Sequence, residues 1–370
     1  MLSLTYHGAD VAYRINRFIN QEIWLSPIES DASDVLVVTP LATDDAFKNK
    51  EFDIYFLVNA SVKESDIFEC WNRVANRRVG WAIPVVALDS DQHDYNKNEH
   101  FLKYAWVAIR LALTSSRGLG VRKKVDVAGR VEISFSELFD PSTVLLVVSR
   151  ETLNETCEFD PERAAVSLAK FGYVDMQSGD PAGVRLYMSL PIGSKLYYEL
   201  ASPDVGASSV IASLIQGVAT SHNEVLRFFY LYQVIELLIE RVFVEEQADV
   251  VRDLISASGD SSRTKDAISR MGEVANEKRR ISLLLNQYSC IRDPMDALRL
   301  VCSEFLRIVG RPSGSKFEEF LYPVRNFVFH QFRQVPPEAL EVLADINREL
   351  LKVLPPFVCS FRVNRRTRRV

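Results

Sequence analysis

A short aromatic segment late in the chain, residues 320–333, contains three polar side chains that could act together on a phosphate: Arg325, Asn326 and His330. At about 100° per residue on a helix, Asn326 and His330 are about 40° apart and share a face. Arg325 lies about 140° from His330, but its long side chain can reach back toward that face. The segment therefore offers a permanent cation, an amide and an imidazole that exchanges protons near neutral pH.

These groups are sufficient to cleave RNA without a metal ion. In such a reaction the 2′-hydroxyl loses a proton, attacks the neighbouring phosphate and expels the 5′-oxygen. His330 can move the protons, and Arg325 can neutralise the charge that gathers on the non-bridging oxygens. One histidine cannot easily serve both ends of the displacement, so we expect a twofold dimer that brings two copies of this helix face to face.

The start of this helix is predicted from Pro323. Proline is compatible with the first turn of a helix, because a missing N–H costs nothing there. If Pro323 opens the helix, Arg325 and Asn326 lie at its electropositive end, which favours a phosphate. The pattern therefore predicts that the helix end itself contributes to anion binding.

The surrounding residues are predicted to form a helical bundle. Apolar side chains recur every three or four residues from Val225 to Val242, the stripe of a long amphipathic helix that also contains Glu236. Further helices are predicted over residues 263–287, 294–309, 316–332 and 337–354. With short links between them, these segments indicate a bundle of about four or five helices.

An Arg-Asn-x-x-x-His pattern on a late helix, after a long helix with an acidic residue in its apolar stripe, resembles the HEPN superfamily. The resemblance covers residues 221–354, about two fifths of the chain. Such helical domains occur in many prokaryotic toxin and phage-defence ribonucleases, where the matching Arg and His form a composite site across a homodimer. The resemblance implies that Arg325 and His330 are catalytic, with Asn326 as the polar residue after the arginine. It implies Glu236 as the supporting acid on the earlier helix.

The first half of the chain has a different pattern, in which short β-branched and aromatic runs are separated by Gly, Pro, Asn and Asp. Strands are predicted over residues 35–38, 53–58, 82–88, 131–135, 144–148, 184–190 and 195–200. Helices are predicted over residues 63–76, 99–114 and 161–171. The expected fold class is therefore α+β. A mixed α/β sensing or regulatory domain is expected over residues 1–212, and a HEPN-like helical bundle with a basic tail over residues 213–370.

Charge divides the chain at a similar place. Residues 221–370 contain 23 Lys and Arg against 20 Asp and Glu, a balance of +3, whereas the whole chain carries −5. The part before residue 221 therefore carries −8, and we do not expect it to be the main surface that holds RNA. We expect it instead to bind a trigger or antitoxin that controls the nuclease.

Composition excludes several classes of protein. Hydrophobic residues make up 47% and charged residues 25%, which is typical of a globular protein and not of a disordered or fibrous one. The five cysteines are scattered without a CxxC pair, which argues against a disulfide scaffold and a cysteine-based zinc site. No apolar stretch approaches the ~20 residues of a membrane-spanning helix, and the first residues lack the apolar run of a signal peptide. We expect a cytoplasmic protein that uses no metal or other cofactor and no membrane.

Two functions remain open. The preferred one is a metal-independent endoribonuclease of a toxin or anti-phage, abortive-infection system, acting as a homodimer on RNA such as tRNA or mRNA. The alternative is a catalytically silent HEPN-type dimerisation or adaptor protein, whose N-terminal domain binds a ligand or partner. A lone histidine on a half-apolar helix is by itself more often a packed core residue.

Three further segments carry weaker signals. Asp89–Asp94 clusters carboxylates and a histidine, which fits either a hard-metal site or a solvated turn. Arg117–Lys124 joins glycines to basic residues, which fits either a phosphate site or a basic loop. The last nine residues contain five arginines, which could guide RNA or form a solvated charged end.

Overall fold

The computed structural model divides the chain into two compact units. The first comprises residues 1–161 and 171–198, and the second comprises residues 162–170 and 199–370. The structure describes residues 2–19, 22–29, 31–38, 51–88, 90, 98–114, 125–154, 157–175, 183–289, 291 and 295–363. Strands dominate the first unit and helices make up the second, so the predicted α+β fold class is confirmed.

The first unit begins with a five-stranded sheet, called sheet A here. Its strands are β1 (Leu2–Tyr6), β2 (Ala9–Ile19), β3 (Glu22–Pro27), β4 (Val35–Val38) and β8 (Glu132–Ser134). They lie in the order β1-β2-β3-β4-β8, antiparallel throughout except for the parallel β4–β8 pair. His7 and Gly8 link β1 to β2 with positive φ angles of 51° and 79°, as a two-residue hairpin turn requires.

A second, six-stranded sheet, sheet B, forms the rest of the first unit. Its strands are β5 (Phe52–Val58), β6 (Phe68–Asn72), β7 (Arg77–Pro84), β9 (Thr143–Ser149), β10 (Val174–Asp175) and β11 (Lys195–Tyr198). Their order is β10-β5-β9-β7-β6-β11, and only the β6–β11 pair is parallel. The central strand β9 is buried along almost its whole length, which explains its unbroken apolar run.

Several local predictions for this half are confirmed and others are wrong. Helix α1 (Glu99–Thr114) has the predicted bounds. The helix predicted over residues 63–76 is wrong, because those residues contain β6, whose alternating burial has the two-residue period of a strand. The strand predicted over residues 184–190 is also wrong, since no strand forms there. Strands β1 to β3 were not predicted, in part because a bulge between Ile15 and Arg17 interrupts the alternation along β2.

The second unit is helical. Its helices are α2 (Pro161–Ala169), α3 (Ser208–Thr220), α4 (Glu224–Ser256), α5 (Ser261–Ala275), α6 (Glu277–Leu283), α7 (Asp296–Ile308), α8 (Phe317–Gln331) and α9 (Pro337–Cys359). Helix α4 is central and contacts α3, α5, α6, α8 and α9. Among the residues that the structure describes, no helix combines the length and apolarity needed to cross a membrane.

The start of α4 is determined by local hydrogen bonds and by one contact with α9. Asn223 caps the helix, with its Oδ1 accepting hydrogen bonds from the N–H groups of Val225 and Leu226 at 2.8 and 3.2 Å. Asn347 of α9 is buried and donates through Nδ2 to the backbone oxygen of Glu224 at 2.9 Å and to its Oε2 at 2.8 Å. These bonds anchor one end of the long helix on which Glu236 lies.

Candidate active site

The predicted site residues lie where helices α4 and α8 pack against each other. Arg325 of α8 donates through Nη2 to Oε1 of Glu236 on α4 at 2.9 Å. The same guanidinium donates through Nη1 to Oδ1 of Asn326 at 3.2 Å. The fold thus brings together three of the four predicted side chains, although Arg325 and Glu236 are separated by 89 positions in the sequence.

Aromatic rings enclose the guanidinium of Arg325. Its Cζ lies 4.8 Å from the centre of the Phe329 ring and 5.6 Å from that of Tyr232. The side chain is 18% exposed, and its Nε is buried without an acceptor among the described residues. Arg325 is therefore a positioned and largely desolvated cation, with one donor left unused.

Two carboxylates share the surroundings of this cation. Glu236 also accepts a hydrogen bond through Oε2 from Nε2 of Gln233, one turn earlier on α4. Tyr232 donates its phenolic proton to Oε1 of Glu277 at 3.0 Å, which brings a second carboxylate from α6 to the same cluster. Glu236 is 28% exposed, so it remains reachable by solvent.

The electrostatics follow from these contacts. Burial lowers the pKa of Arg325, but its hydrogen bond to Glu236 and the nearby charge of Glu277 outweigh burial, so the net shift is upward. Burial raises the pKa of Tyr232, and the carboxylate of Glu277 raises it further. At neutral pH the site therefore combines a charged guanidinium with a neutral phenol.

His330 lies on the same helix but in a different environment. It is exposed and makes no hydrogen bond to any residue that the structure describes. Because α8 is continuous from Phe317 to Gln331, His330 lies one turn beyond Asn326 on the same face. The interpretation of His330 as a packed core residue is wrong, since an imidazole at this position faces solvent. Its imidazole is therefore accessible to a ligand.

The helix predicted over residues 316–332 is confirmed, but the hypothesis that Pro323 opens it is wrong. Helix α8 begins at Phe317, and Pro323 lies inside it. Arg325 and Asn326 therefore lie mid-helix, and the free N–H groups of the first turn do not point at them. Glu319 already occupies that end, where its Oε2 accepts the N–H groups of Ser315 and Lys316 at 3.2 Å each. Any charge stabilisation at this site must come from side chains.

A cation from α6 flanks the exposed face of α8. Tyr322, Asn326 and His330 follow one another at four-residue spacing along this face. The Nζ of Lys278 lies 5.5 Å from the centre of the Tyr322 ring. Lys278 was not identified from the sequence, because its proximity to α8 depends on how α6 packs.

Exposed apolar side chains adjoin the site on α4. Phe229 is 40% exposed and stacks on Phe329 with 5.3 Å between ring centres. Leu226, one turn earlier, is 48% exposed. A ring that covers Arg325 is therefore continuous with an apolar surface that reaches solvent.

The sequence patterns did not identify Tyr232, Phe329 or Gln233 as members of the site. A signal was present, since Tyr232 lies four residues before Glu236 and Phe329 lies four residues after Arg325. Side chains at that spacing are neighbours on a helix, so each predicted residue pointed to an aromatic partner on its own helix.

The weaker candidates lie mostly in parts of the chain that the structure does not describe. Asp89 and residues 91–94 lie outside the described residues, as do residues 117–124 and 364–370. Across the described parts of the chain, no three His, Cys, Asp or Glu side chains lie close enough together to hold a metal ion.

Comparison with known proteins adds no assignment. The chain matches no family model, and neither a curated protein nor a solved structure matches it. The resemblance to the HEPN superfamily therefore depends on the sequence pattern of residues 221–354 alone.

Proposed function

We propose that the protein is a metal-independent endoribonuclease of the HEPN type, acting in the cytoplasm within a toxin or anti-phage defence system. One observation supports this most directly. An exposed histidine without a hydrogen-bond partner among the described residues lies one turn from Asn326. Asn326 in turn accepts a hydrogen bond from Arg325, which Glu236 holds in place. The N-terminal part of the chain would then bind the trigger or antitoxin that controls cleavage.

The proposed reaction uses the 2′-hydroxyl of RNA as its nucleophile. A base removes the 2′ proton, the 2′-oxygen attacks phosphorus, and the bond to the 5′-oxygen breaks as that oxygen gains a proton. His330 transfers a proton, while Arg325 stabilises charge on the non-bridging oxygens. The products carry a 2′,3′-cyclic phosphate and a 5′-hydroxyl.

A twofold dimer would supply the second proton-transfer group. Two copies of the α8 face, each with one His330, could then lie on either side of a single phosphate. The exposed Leu226 and Phe229 beside the site support this arrangement, because a dimer contact there would bury both.

Cleavage by the purified protein tests the reaction. We expect total RNA to be cut in the presence of EDTA, since no proposed step uses a metal, and single-stranded DNA to stay intact. His330→Ala should lower the rate ~10²–10⁴-fold, the usual effect of losing a positioned proton-transfer group. Arg325→Lys should lose most of the rate, because lysine keeps the charge but not the planar fork. Asn326→Ala should lose less, since a neutral amide orients a phosphate without neutralising it.

His222→Ala is the matched control, because His222 is also exposed in the helical unit but lies outside α8. It should cleave RNA like the unmodified protein. Cleavage that requires added metal, or full activity in His330→Ala, would contradict the proposal.

Light scattering tests the dimer. Phe229→Asp should convert a dimer into a monomer and abolish cleavage, because it places a charge on the proposed contact. Ile255→Asp is the control, since Ile255 is 72% exposed at the far end of α4. A strict monomer at micromolar concentration, with and without RNA, would argue against the composite site.

The alternative is a catalytically silent dimerisation or adaptor protein. The ion pair between Arg325 and Glu236 favours it, because such a contact is also what a purely structural link between two helices requires. A silent protein predicts that His330→Ala and the unmodified protein leave RNA equally intact while both remain dimers. Induced expression should then slow growth equally, or not at all, in both cases.

A further inference from the structure

One face of sheet B carries aromatic rings and cations side by side. The strand register places Tyr197 of β11 next to Trp71 of β6, and Arg78 of β7 on its other side. Lys195 is paired with Glu69 in the same way. Because residues two apart on a strand point to the same face, these side chains lie on one side of the sheet. We call this surface the β6–β7–β11 face.

A cation lies against each ring of the β6–β7–β11 face. The three pairs are Lys195 Nζ at 3.9 Å from the centre of the Trp71 ring, Arg73 Cζ at 5.6 Å from Tyr197, and Arg78 Cζ at 5.2 Å from Trp81. The face is open to solvent, since Arg73 is exposed and the side chain of Arg78 is 50% exposed. Planar apolar surfaces and positive charges are therefore presented together.

The face concentrates cations within the acidic part of the chain. Arg73, Arg78 and Lys195 lie on it together with the carboxylate of Glu69. Glu69 accepts a hydrogen bond from Trp71 Nε1 at 2.8 Å and pairs with Arg78 at 3.2 Å. These hydrogen bonds, that of Trp71 first, lower the pKa of Glu69. These cations lie together because of how the strands pair, and not because the domain is rich in basic residues.

A pocket of about 600 Å³ adjoins the face. Arg78 and Trp81 belong to both, and Tyr104 and Gly80 line the pocket as well. The carboxylates of Glu51 and Glu151 also line it, which suits hydrogen bonding to a neutral base better than contact with a phosphate. Its volume is in the range of pockets that hold small organic ligands.

Contrary to the expectation from net charge, we propose that the β6–β7–β11 face of the first unit binds single-stranded RNA. Bases stack against Trp71, Tyr197 and Trp81, phosphates contact the cations, and the pocket takes one unstacked base. Stacking surfaces combined with cations are the common basis of binding to single strands. The choice of RNA over DNA rests on the proposed ribonuclease function. The binding site itself does not, since it lies wholly within the first unit.

Fluorescence anisotropy with the full-length protein tests this proposal. The probe is a fluorescein-labelled RNA strand of about 12 nucleotides, a length within the usual range of such sites. His330→Ala is present in every sample so that no probe is cut. Removing both Arg73 and Lys195 by substitution with Ala should weaken binding about tenfold at low salt. It should also reduce the slope of log affinity against log salt by about 1.4, or ~0.7 for each lost phosphate contact.

The control replaces Arg14 and Lys63 with Ala. Both are exposed in the first unit, and the change in net charge is the same. Trp71→Ala should weaken binding roughly 5- to 150-fold, the usual range for one stacked base, whereas Trp71→Phe should restore most of it. Glu69→Gln should strengthen binding, because it removes the carboxylate of the face while keeping an acceptor for Trp71.

Three results would overturn the proposal. In the first, the Arg73/Lys195 double variant binds RNA as tightly as the Arg14/Lys63 control. In the second, DNA of equal length binds equally well, which refutes the assignment to RNA. In the third, an acidic peptide of matched charge competes as effectively as RNA, which would identify a protein-binding surface. Because every sample carries the same His330→Ala substitution and only binding is measured, these results do not depend on whether the helical unit is a nuclease.

Discussion

Arg325 in the helical unit and Arg78 in the strand-rich unit have the same kinds of neighbour but different freedom. Arg325 pairs with Glu236 at 2.9 Å, and Arg78 pairs with Glu69 at 3.2 Å. Each guanidinium also lies against an aromatic ring. Yet the Arg325 side chain is 18% exposed, whereas that of Arg78 is 50% exposed.

This difference in exposure indicates that the same combination of arginine, glutamate and aromatic ring has two different roles. A desolvated pair holds a cation in place, because breaking it leaves a charge that water reaches poorly. An exposed pair is worth little and exchanges readily with solvent or a ligand. Burial therefore suits Arg325 to a rigid site and Arg78 to an adaptable binding surface.

Among the single substitutions, the largest effect on stability is expected in β7, the strand that carries Arg78. A Cβ atom at Gly80 would lie 1.7 Å from the backbone oxygen of Val147 on the neighbouring strand. Gly80→Ala should therefore destabilise the first unit by about 3 kcal/mol. All four tryptophans lie in that unit, so tryptophan fluorescence during urea unfolding reports it selectively. Gly183→Ala is the control, since nothing lies within 4 Å of its Cβ position, and should change little.

Removing the partly buried cation Arg325 should have the next largest effect. Arg325→Ala leaves Glu236 partly buried without its positive partner, at a cost of about 2 kcal/mol. Far-UV circular dichroism, which reports mainly the helices, should show the shift while tryptophan fluorescence does not. Arg299→Ala breaks an exposed pair on α7 and should change stability by less than about 0.5 kcal/mol. Equal effects of the two substitutions would show that Arg325 contributes no more to stability than an exposed arginine.

Alkaline pH should weaken the helical site through Tyr232. Its folded-state pKa is raised above the unfolded value near 10, first by burial, so the folded protein keeps a proton that the unfolded chain releases. The resulting stability is complete below about pH 10 and falls by about 1.4 kcal/mol per pH unit above it. Tyr232→Phe should lessen this loss between pH 9.5 and 11 in unfolding followed by circular dichroism. An unchanged pH profile would show that the phenol also ionises in the folded state.

The smallest effect is expected for Arg78 itself. Arg78→Ala removes an exposed ion pair and a ring contact, so the first unit should lose no more than about 0.5 kcal/mol. Added salt should reduce this difference further, because exposed charges are screened. A loss as large as that of Arg325→Ala would show that Arg78 is structural and would argue against its role in binding.

The sequence by itself determined most helices of the second half and the polar pattern on α8, although it missed α3 and merged α5 with α6. Periods of three to four residues are a local property, so the long stripe after Val225, the helix over residues 99–114 and the proximity of Asn326 to His330 could be read directly. The strands of sheet A were harder, since their alternation is broken by a bulge and includes charged residues.

Only the tertiary structure determined which residues far apart in the sequence contact each other. Pro323 did not begin its helix, because packing supports the preceding turn from Phe317 onward. The contact of Arg325 with Glu236 depends on how α4 and α8 pack, and the proximity of Lys195 to Trp71 depends on a parallel pairing across more than a hundred residues. Neither contact corresponds to a periodic pattern of residues in the sequence. Net charge gave no sign of the β6–β7–β11 face, because a sum over residues contains no information about which of them become neighbours.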